Sequence, residues 1–237
     1  MDWQREIAVV TGGTRGIGRA LALGLVRRGA TVALCARDAQ AAEKAAAELR
    51  AAGPRTLGAG CDVRDEASVA AFAERVRAHL GQPTILVNNA GVGRFAPLAE
   101  MSLAVWDEVM DTNLRGLFLV TRAFVPGMLE AGRGAVVNIA SLAGRNGIAN
   151  GTAYSASKHG VLGFSKSLML EVRKAGVRVL AVCPGSVNTA FFDGDTPFDP
   201  NRGRILLPED VAQATLDALE LPERALVSEL DIRPANP

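Results

Sequence analysis

Thr11-Gly-Gly-Thr-Arg-Gly-Ile-Gly18 follows directly on an apolar run, Ile7 to Val10, and leads into a helical pattern from Arg19 to Arg28. The order strand, glycine turn, helix is that expected at the opening of a dinucleotide-binding fold. Gly12, Gly16 and Gly18 permit a tight turn and close backbone approach, and free amides at the helix N-terminus face an anionic pyrophosphate. Within this turn Gly12, Thr14, Arg15, Gly16 and Ile17 are the candidate cofactor contacts. Glycine-rich turns also arise for steric reasons alone, so the weight lies on the placement of this one between strand and helix.

Working outward, a second strand, Thr31 to Cys35, ends in Ala36-Arg37-Asp38. A carboxylate at this point holds the ribose 2′-hydroxyl of NAD, whereas arginine suits the 2′-phosphate of NADP. Arg37 and Arg15 together favour NADP(H), with NAD(H) as the alternative. Asp38 precedes an alanine-rich helix, Ala39 to Ala52, and reads as its N-cap. A third strand, Arg55 to Gly60, gives way to Cys61-Asp62-Val63 and a helix from Glu66 to Leu80. Asp62, with Val63 beside it, either reaches the adenine amino group or caps the following turn, and both readings stand. A fourth strand, Thr84 to Val87, runs into Asn88-Asn-Ala-Gly91, where Asn89, Ala90 and Gly91 are candidate cofactor contacts. Paired amides there can bridge neighbouring backbones, and a glycine admits a ligand.

The second informative stretch is Ala153-Tyr-Ser-Ala-Ser-Lys-His-Gly160. Tyr154 and Lys158 are four residues apart, which puts phenol and ammonium on one helix face. Tyr154 is the only tyrosine, so the pairing stands out from the composition. A phenol titrates near 10, and a neighbouring ammonium makes it a better proton donor near neutrality. Ser141 ends a run of strand formers, Ala135 to Ala140, and its hydroxyl is placed to hold a substrate oxygen. Acid, tuner and orienter together suit proton transfer to a carbonyl oxygen or from an alcohol.

Composition narrows the classes. The chain has 237 residues, a formal net charge of +1 and charges of both signs interspersed, which gives no electrostatic case for nucleic acid or an anionic membrane surface. No apolar run approaches ~20 residues and no signal peptide opens the sequence, so the expectation is a soluble cytoplasmic protein. One α/β domain over residues 1–237 is expected, since no linker divides it. Cys35, Cys61 and Cys183 are odd in number and widely separated, so neither a disulfide framework nor a metal site is indicated. His79 falls near a helix end, and His159 points to another helix side than Lys158, so neither is assigned to catalysis.

Taken together, Thr11 to Gly18, Asn88 to Gly91, Asn113, Ser141, Tyr154 with Lys158, and Pro184-Gly185 resemble the motifs of the short-chain dehydrogenase/reductase family, in the family's order and over nearly the whole chain. The members it resembles include 3-oxoacyl-carrier-protein reductases. The resemblance implies a Rossmann-type, doubly wound α/β fold, a seven-stranded parallel sheet with helices on both faces. It implies a catalytic tetrad of Asn113, Ser141, Tyr154 and Lys158, in which Lys158 also holds the nicotinamide ribose. Asn113, in the helical pattern Leu103 to Leu129, would hold a water that links Lys158 to solvent. After a strand from Val177 to Val182, the loop with Pro184, Gly185, Val187 and Thr189 would wrap the nicotinamide. A homotetramer or homodimer is implied, through the helices carrying Asn113 and Tyr154 and through the C-terminal region.

On the substrate side, a loop of about residues 188–207 holds Phe191, Phe192 and Phe198 with Asp193, Asp195 and Asp199. It reads as a lid, or its rings pack on the protein itself. Arg94, Phe95, Arg145, Asn146 and Asn150 lie in loops expected to flank the same cleft, without a recognisable specificity motif. A last helix is expected from Pro208 to about Glu220 and a final strand from Ala225 to Ile232. The combined expectation is an NADPH-dependent carbonyl reductase, reversible as an alcohol dehydrogenase, acting on a small molecule such as a 3-oxoacyl thioester. The alternatives are an NAD-dependent alcohol or hydroxy-acid dehydrogenase with Asp38 on the ribose, and a non-catalytic sensor of NADP(H).

Overall fold

In a computed structural model of the chain, residues 1–53, 55–193 and 196–236 are described. Seven parallel strands form one sheet: β1 (Ile7–Thr11), β2 (Thr31–Ala36), β3 (Thr56–Gly60), β4 (Ile85–Asn88), β5 (Gly134–Ile139), β6 (Val177–Pro184) and β7 (Glu229–Ile232). Their order is β3-β2-β1-β4-β5-β6-β7. The chain winds outward from β1 in one direction and then, through β4, in the other. A crevice therefore opens at the carboxyl ends of β1 and β4, where the direction of winding reverses.

The strands are short apolar runs because both faces are covered. On one face Val10, Leu34 and Val87 pack with Leu21 and Leu25 of α1 (Gly16–Arg27), Ala42 and Leu49 of α2 (Ala39–Arg50), and Leu216 of α7 (Pro208–Glu220). On the other, Val9, Leu86 and Val136 pack with Phe72 of α3 (Glu66–Leu80), Phe124 of α5 (Gly116–Glu130) and Leu168 of α6 (Thr152–Val172). The alanine content of α2 has a packing reason. A Cβ on Gly58 of β3 would lie 2.2 Å from the Ala42 carbonyl oxygen, so helix and strand meet almost backbone to backbone.

Two elements differ from the sequence pattern. The helix expected over Leu103 to Leu129 is α4 (Leu103–Met110), a π-helical turn (Asp111–Arg115) and then α5, with the Gly116 amide bonded to the Asp111 carbonyl five residues back. The final strand begins at Glu229 rather than Ala225. The preceding residues close a turn, with the Ala225 amide on the Pro222 carbonyl. Asp38 is the N-cap of α2, its Oδ1 accepting from the amides of Gln40 and Ala41 at 2.9 and 3.1 Å. Asp38→Ala leaves both amides to solvent and is expected to lower stability by about 1 kcal/mol in urea unfolding. An unchanged midpoint would show that the cap contributes nothing.

Candidate active site

The loops at the carboxyl edge of the sheet are tied to one another before any ligand is considered. Thr11 Oγ1 accepts from the amides of Asn89 and Ala90, both at 3.0 Å, and Asn89 Nδ2 donates to the carbonyls of Thr11 and Gly12, both at 3.0 Å. Asn88 turns inward, its Nδ2 donating to Thr121 Oγ1 and Asn138 Oδ1 at 2.9 Å each. The bridging read from the asparagine pair is thus divided, one amide locking the two loops and the other locking β4 to α5 and β5.

The glycine turn is open on its outer side. Gly12 and Gly16 have φ of +64° and +54°, where side chains other than glycine are strained, and no side chain caps the first turn of α1. Thr189, in the loop after β6, comes so close that its Cγ2 would be 3.2 Å from a Cβ on Gly16. Gly12 thus faces Asn89 and Ala90 and Gly16 faces Thr189, with Thr14 and Arg15 in the same turn and Ile17 at the start of α1, and with Pro184 ending β6 and Gly185 and Val187 between it and Thr189 in the chain. Arg15 and Arg37 are exposed and, among the described residues, neither is within ion-pair distance of a carboxylate. Asp62 accepts from the Arg64 amide at 3.0 Å and is forked by the Arg64 guanidinium, which is what holds its carboxyl below the usual range. Of its two readings, that geometry is the turn-capping one.

On the reaction side, Tyr154 lies in the first turn of α6 and Lys158 one turn further. Lys158 is 6% exposed, and its ammonium donates to the Ile139 carbonyl at 2.8 Å, at the end of β5. It lies 5.8 Å from the Tyr154 ring centroid. Burial pulls its pKa down to about 8, and burial pushes the Tyr154 phenol above its ordinary 10, with the Ser141 hydroxyl countering part of that rise. The expected lowering of the phenol by the lysine is absent from this arrangement, because the ammonium is aimed at a carbonyl and desolvation dominates. Ser141 caps the turn Leu142–Gly144, its Oγ accepting from the Ala143 amide at 3.1 Å.

Asn113 reaches the site through the π-helical turn, which widens the helix by one residue at the point where the side chain must point into the cleft. It is 2% exposed, accepts from the Val92 amide at 2.8 Å, and donates to the Val92 carbonyl at 2.9 Å and to Ser157 Oγ at 3.0 Å. Ser157 in turn donates to the Tyr154 carbonyl at 2.7 Å. The sequence reading did not single out Ser157 or Val92. Nor did it find Gly144, where a Cβ would lie 2.6 Å from the Lys158 carbonyl oxygen, so that only glycine lets the Ser141 turn settle on α6. A serine three residues after the tyrosine is a signal, but one that means little until Asn113 is seen opposite it.

Several flanking residues serve other purposes than expected. Arg94 is forked onto Glu108 at 2.9 Å, and Arg145 ties the Ser141 loop to Asp231 at 2.7 Å and to Glu229. His159 and His79 each bond a carbonyl four residues back in their own helix. Of the lid residues, Phe191 joins Phe95 against Tyr154 and Phe198 packs on Phe95, while Asp195 lies outside the described residues. Among the described residues no group of three or more His, Cys, Asp or Glu is gathered as a metal site, and no helix is long and apolar enough to cross a membrane.

A crevice of this kind, at the reversal point of a parallel sheet and with a buried lysine and a phenol at its mouth, defines a dinucleotide-dependent oxidoreductase site. Residues 6–198 match the family model for short chain dehydrogenases. The chain is 43% identical over 189 residues to a 3-oxoacyl-acyl-carrier-protein reductase of Pseudomonas aeruginosa, covering 80% of this chain and 76% of that one. It is 41% identical over 221 residues to a D-threitol dehydrogenase of Mycolicibacterium smegmatis, covering 89% and 84%. An alcohol dehydrogenase of Thermococcus sibiricus, solved with 5-hydroxy-NADP, superposes with a TM-score of 0.89 at 31% identity over 97% of each chain. The chain belongs to the short-chain dehydrogenase/reductase family, and it is an NAD(P)-binding oxidoreductase that acts on CH–OH groups.

The buried ammonium has a measurable consequence. With a native pKa of about 8 against an ordinary 10.5, Lys158 is charged in both states at neutral pH and neutral only in the native state between these values. The unfolded chain then binds more protons, so this contribution to stability rises with pH through that window. In urea unfolding the balance between wild type and Lys158→Met should shift toward wild type by about 1–2 kcal/mol on going from about pH 7 to about pH 9.5. A pH-independent difference would contradict the burial argument.

Proposed function

We propose that this chain is an NADPH-dependent carbonyl reductase, reversible as an alcohol dehydrogenase, working as a homotetramer or homodimer in the cytoplasm on a small carbonyl compound. The observation that carries it is the grouping of three side chains, with the Lys158 Nζ one helical turn from Tyr154 and 5.8 Å from its ring and the Ser141 hydroxyl beside the same phenol, whose pKa desolvation raises. When bound, the reduced nicotinamide supplies the hydride that the carbonyl carbon accepts. Tyr154 gives its phenolic proton to the carbonyl oxygen, and the Ser141 hydroxyl orients that oxygen. Lys158 stabilises the phenolate left behind and holds the nicotinamide ribose. Asn113 fixes the Val92 backbone and Ser157 beside the lysine, and supports the water through which the proton is replaced.

The residues present fit the cofactor. Glycines with positive φ leave the uncapped N-terminus of α1 open to a pyrophosphate. Arg15 and Arg37 offer guanidiniums to a 2′-phosphate, and Asp38, the residue an NAD-dependent alternative needs, is occupied as a helix cap. The NADP derivative bound by the Thermococcus sibiricus relative agrees with this preference. Assembly is supported by apolar side chains on α5 and α6, with Phe118 43% and Leu170 57% exposed. Relatives named for a 3-oxoacyl thioester and for a sugar alcohol support a substrate among carbonyl and alcohol compounds.

Two substitutions test the reading. Tyr154→Phe should bind NADPH with the wild-type affinity and lose at least about a hundredfold in turnover, measured as NADPH oxidation. Near-normal turnover would remove the assigned acid. Arg37→Ala should weaken NADPH binding about tenfold or more and leave NADH binding nearly unchanged, by fluorescence titration. Equal effects on both nucleotides would overturn the 2′-phosphate assignment.

A further inference from the structure

The proton chemistry leaves a group of aromatic rings around Tyr154 without a role. Phe95, in the segment after β4, lies 5.6 Å from the Tyr154 ring centroid, and Phe191, in the substrate loop, lies 5.7 Å from it. Phe95 also meets Phe191 at 5.9 Å and Phe198 at 5.1 Å, both nearly edge-to-face at 81° and 89°. Two chain segments thus bring rings to the side of the one phenol assigned to proton transfer, with Phe198 packed behind Phe95.

The arrangement is specified locally. A Cβ on Gly93 would be 2.5 Å from the Phe191 ring and 3.1 Å from that of Phe95, so glycine is needed for the rings to meet. The substrate loop is clasped at its base by a bridge between Val187 and Leu206, with the Asn188 amide on the Leu206 carbonyl at 2.7 Å. Thr189 Oγ1 accepts from the Phe191 amide at 3.2 Å and sets that ring at the start of the loop.

Charge points the same way. On the substrate side of the cleft Arg94 is paired with Glu108, Arg145 with Glu229 and Asp231, and Arg202 with Asp193, while Arg15 and Arg37, unpaired among the described residues, lie on the cofactor side, where the reading above gives them to the 2′-phosphate. In the substrate loop Arg204 has no carboxylate within ion-pair distance among the described residues. A substrate carried on a phosphate-bearing arm gains from unpaired cations at the mouth, and few are offered. A planar apolar group gains from ring edges and faces, about 0.5–1.5 kcal/mol per aromatic pair beyond its buried area.

We infer that Phe95, Phe191 and Phe198 form a substrate-selecting aromatic box, and that the preferred substrate is a ketone or aldehyde with an aryl group on the carbonyl carbon rather than a carrier-bound 3-oxoacyl thioester. The inference rests on the carbonyl-reductase reading above. In the reaction the carbonyl carbon gains a hydride, the carbonyl oxygen gains the Tyr154 proton, and one NADPH is oxidised to NADP+ for each carbonyl reduced.

The test compares acetophenone, 2-octanone of equal carbon number, and a 3-oxobutanoyl N-acetylcysteamine thioester, with NADPH as donor and Tyr154→Phe as the blank. Wild type should prefer acetophenone in kcat/KM by at least about tenfold over each of the others. Phe95→Leu and Phe191→Leu keep apolar volume and remove a ring. Each should reduce the acetophenone to 2-octanone ratio by about threefold to tenfold, chiefly through the KM for acetophenone. A wild-type preference for the thioester, or a ratio unmoved by both variants, overturns the box while turnover absent from the blank keeps the reductase reading. Absence of turnover on every probe, with NADPH bound, overturns both.

Discussion

The site depends on burying one ammonium. Lys158 is set under the carboxyl edge of the sheet with its charge against the Ile139 carbonyl, and most of the neighbouring sequence choices serve that placement. Gly144 removes the side chain that would strike the Lys158 backbone, and Gly91 keeps the opposite wall open, where a Cβ would lie 3.2 Å from Asn113 Oδ1 and 3.7 Å from the lysine Nζ. Asn113 and Ser157 provide a polar lining that neither donates to nor competes for that carbonyl. A charged group held in this way is uncomfortable, as its depressed pKa records, and such tension is a common mark of sites built for chemistry rather than stability.

The rest of the fold divides into a rigid floor and adjustable walls. The floor is the hydrogen-bonded seam between the glycine turn and the Asn89 loop, continued inward by Asn88, Thr121, Asn138 and Ser165. These bonds cross from strand to strand and from sheet to helix, so the cofactor crevice and the catalytic helix are referenced to the same core. The walls are the loops after β4, β5 and β6. One is tied to β7 through Arg145, and another is folded over Tyr154 by its phenylalanines.

Much of the fold was legible because its signals are local. A glycine turn between an apolar strand and a helix, and apolar runs too uniform for a one-sided sheet, identify a doubly wound parallel architecture, and α3 is found over the residues that the pattern assigns. Asp38 could be separated from a ribose-binding role by the helix that follows it. What stayed hidden is what depends on a third partner. The π-helical turn at Asp111–Arg115 reads as continuous helix, since one inserted residue barely disturbs an apolar pattern. Arg145 looked like a cleft residue because its partners, Glu229 and Asp231, are more than eighty residues away in sequence. Phe95 was visible as a flanking ring, but only packing reveals which rings it meets.

The central claim is that desolvation raises the pKa of the phenol and that Lys158, once engaged with nucleotide, lowers it so that the proton can be given up. The chain offers a direct probe, because Tyr154 is its only tyrosine. The measurement is a pH titration of phenolate absorbance, with and without NADP+, in wild type and in Lys158→Met. The account predicts a phenol titrating above 10 without nucleotide, a clear fall when NADP+ binds, and little or no fall in Lys158→Met. A phenol at or below its ordinary value without nucleotide, or one that nucleotide moves equally in both proteins, would contradict it.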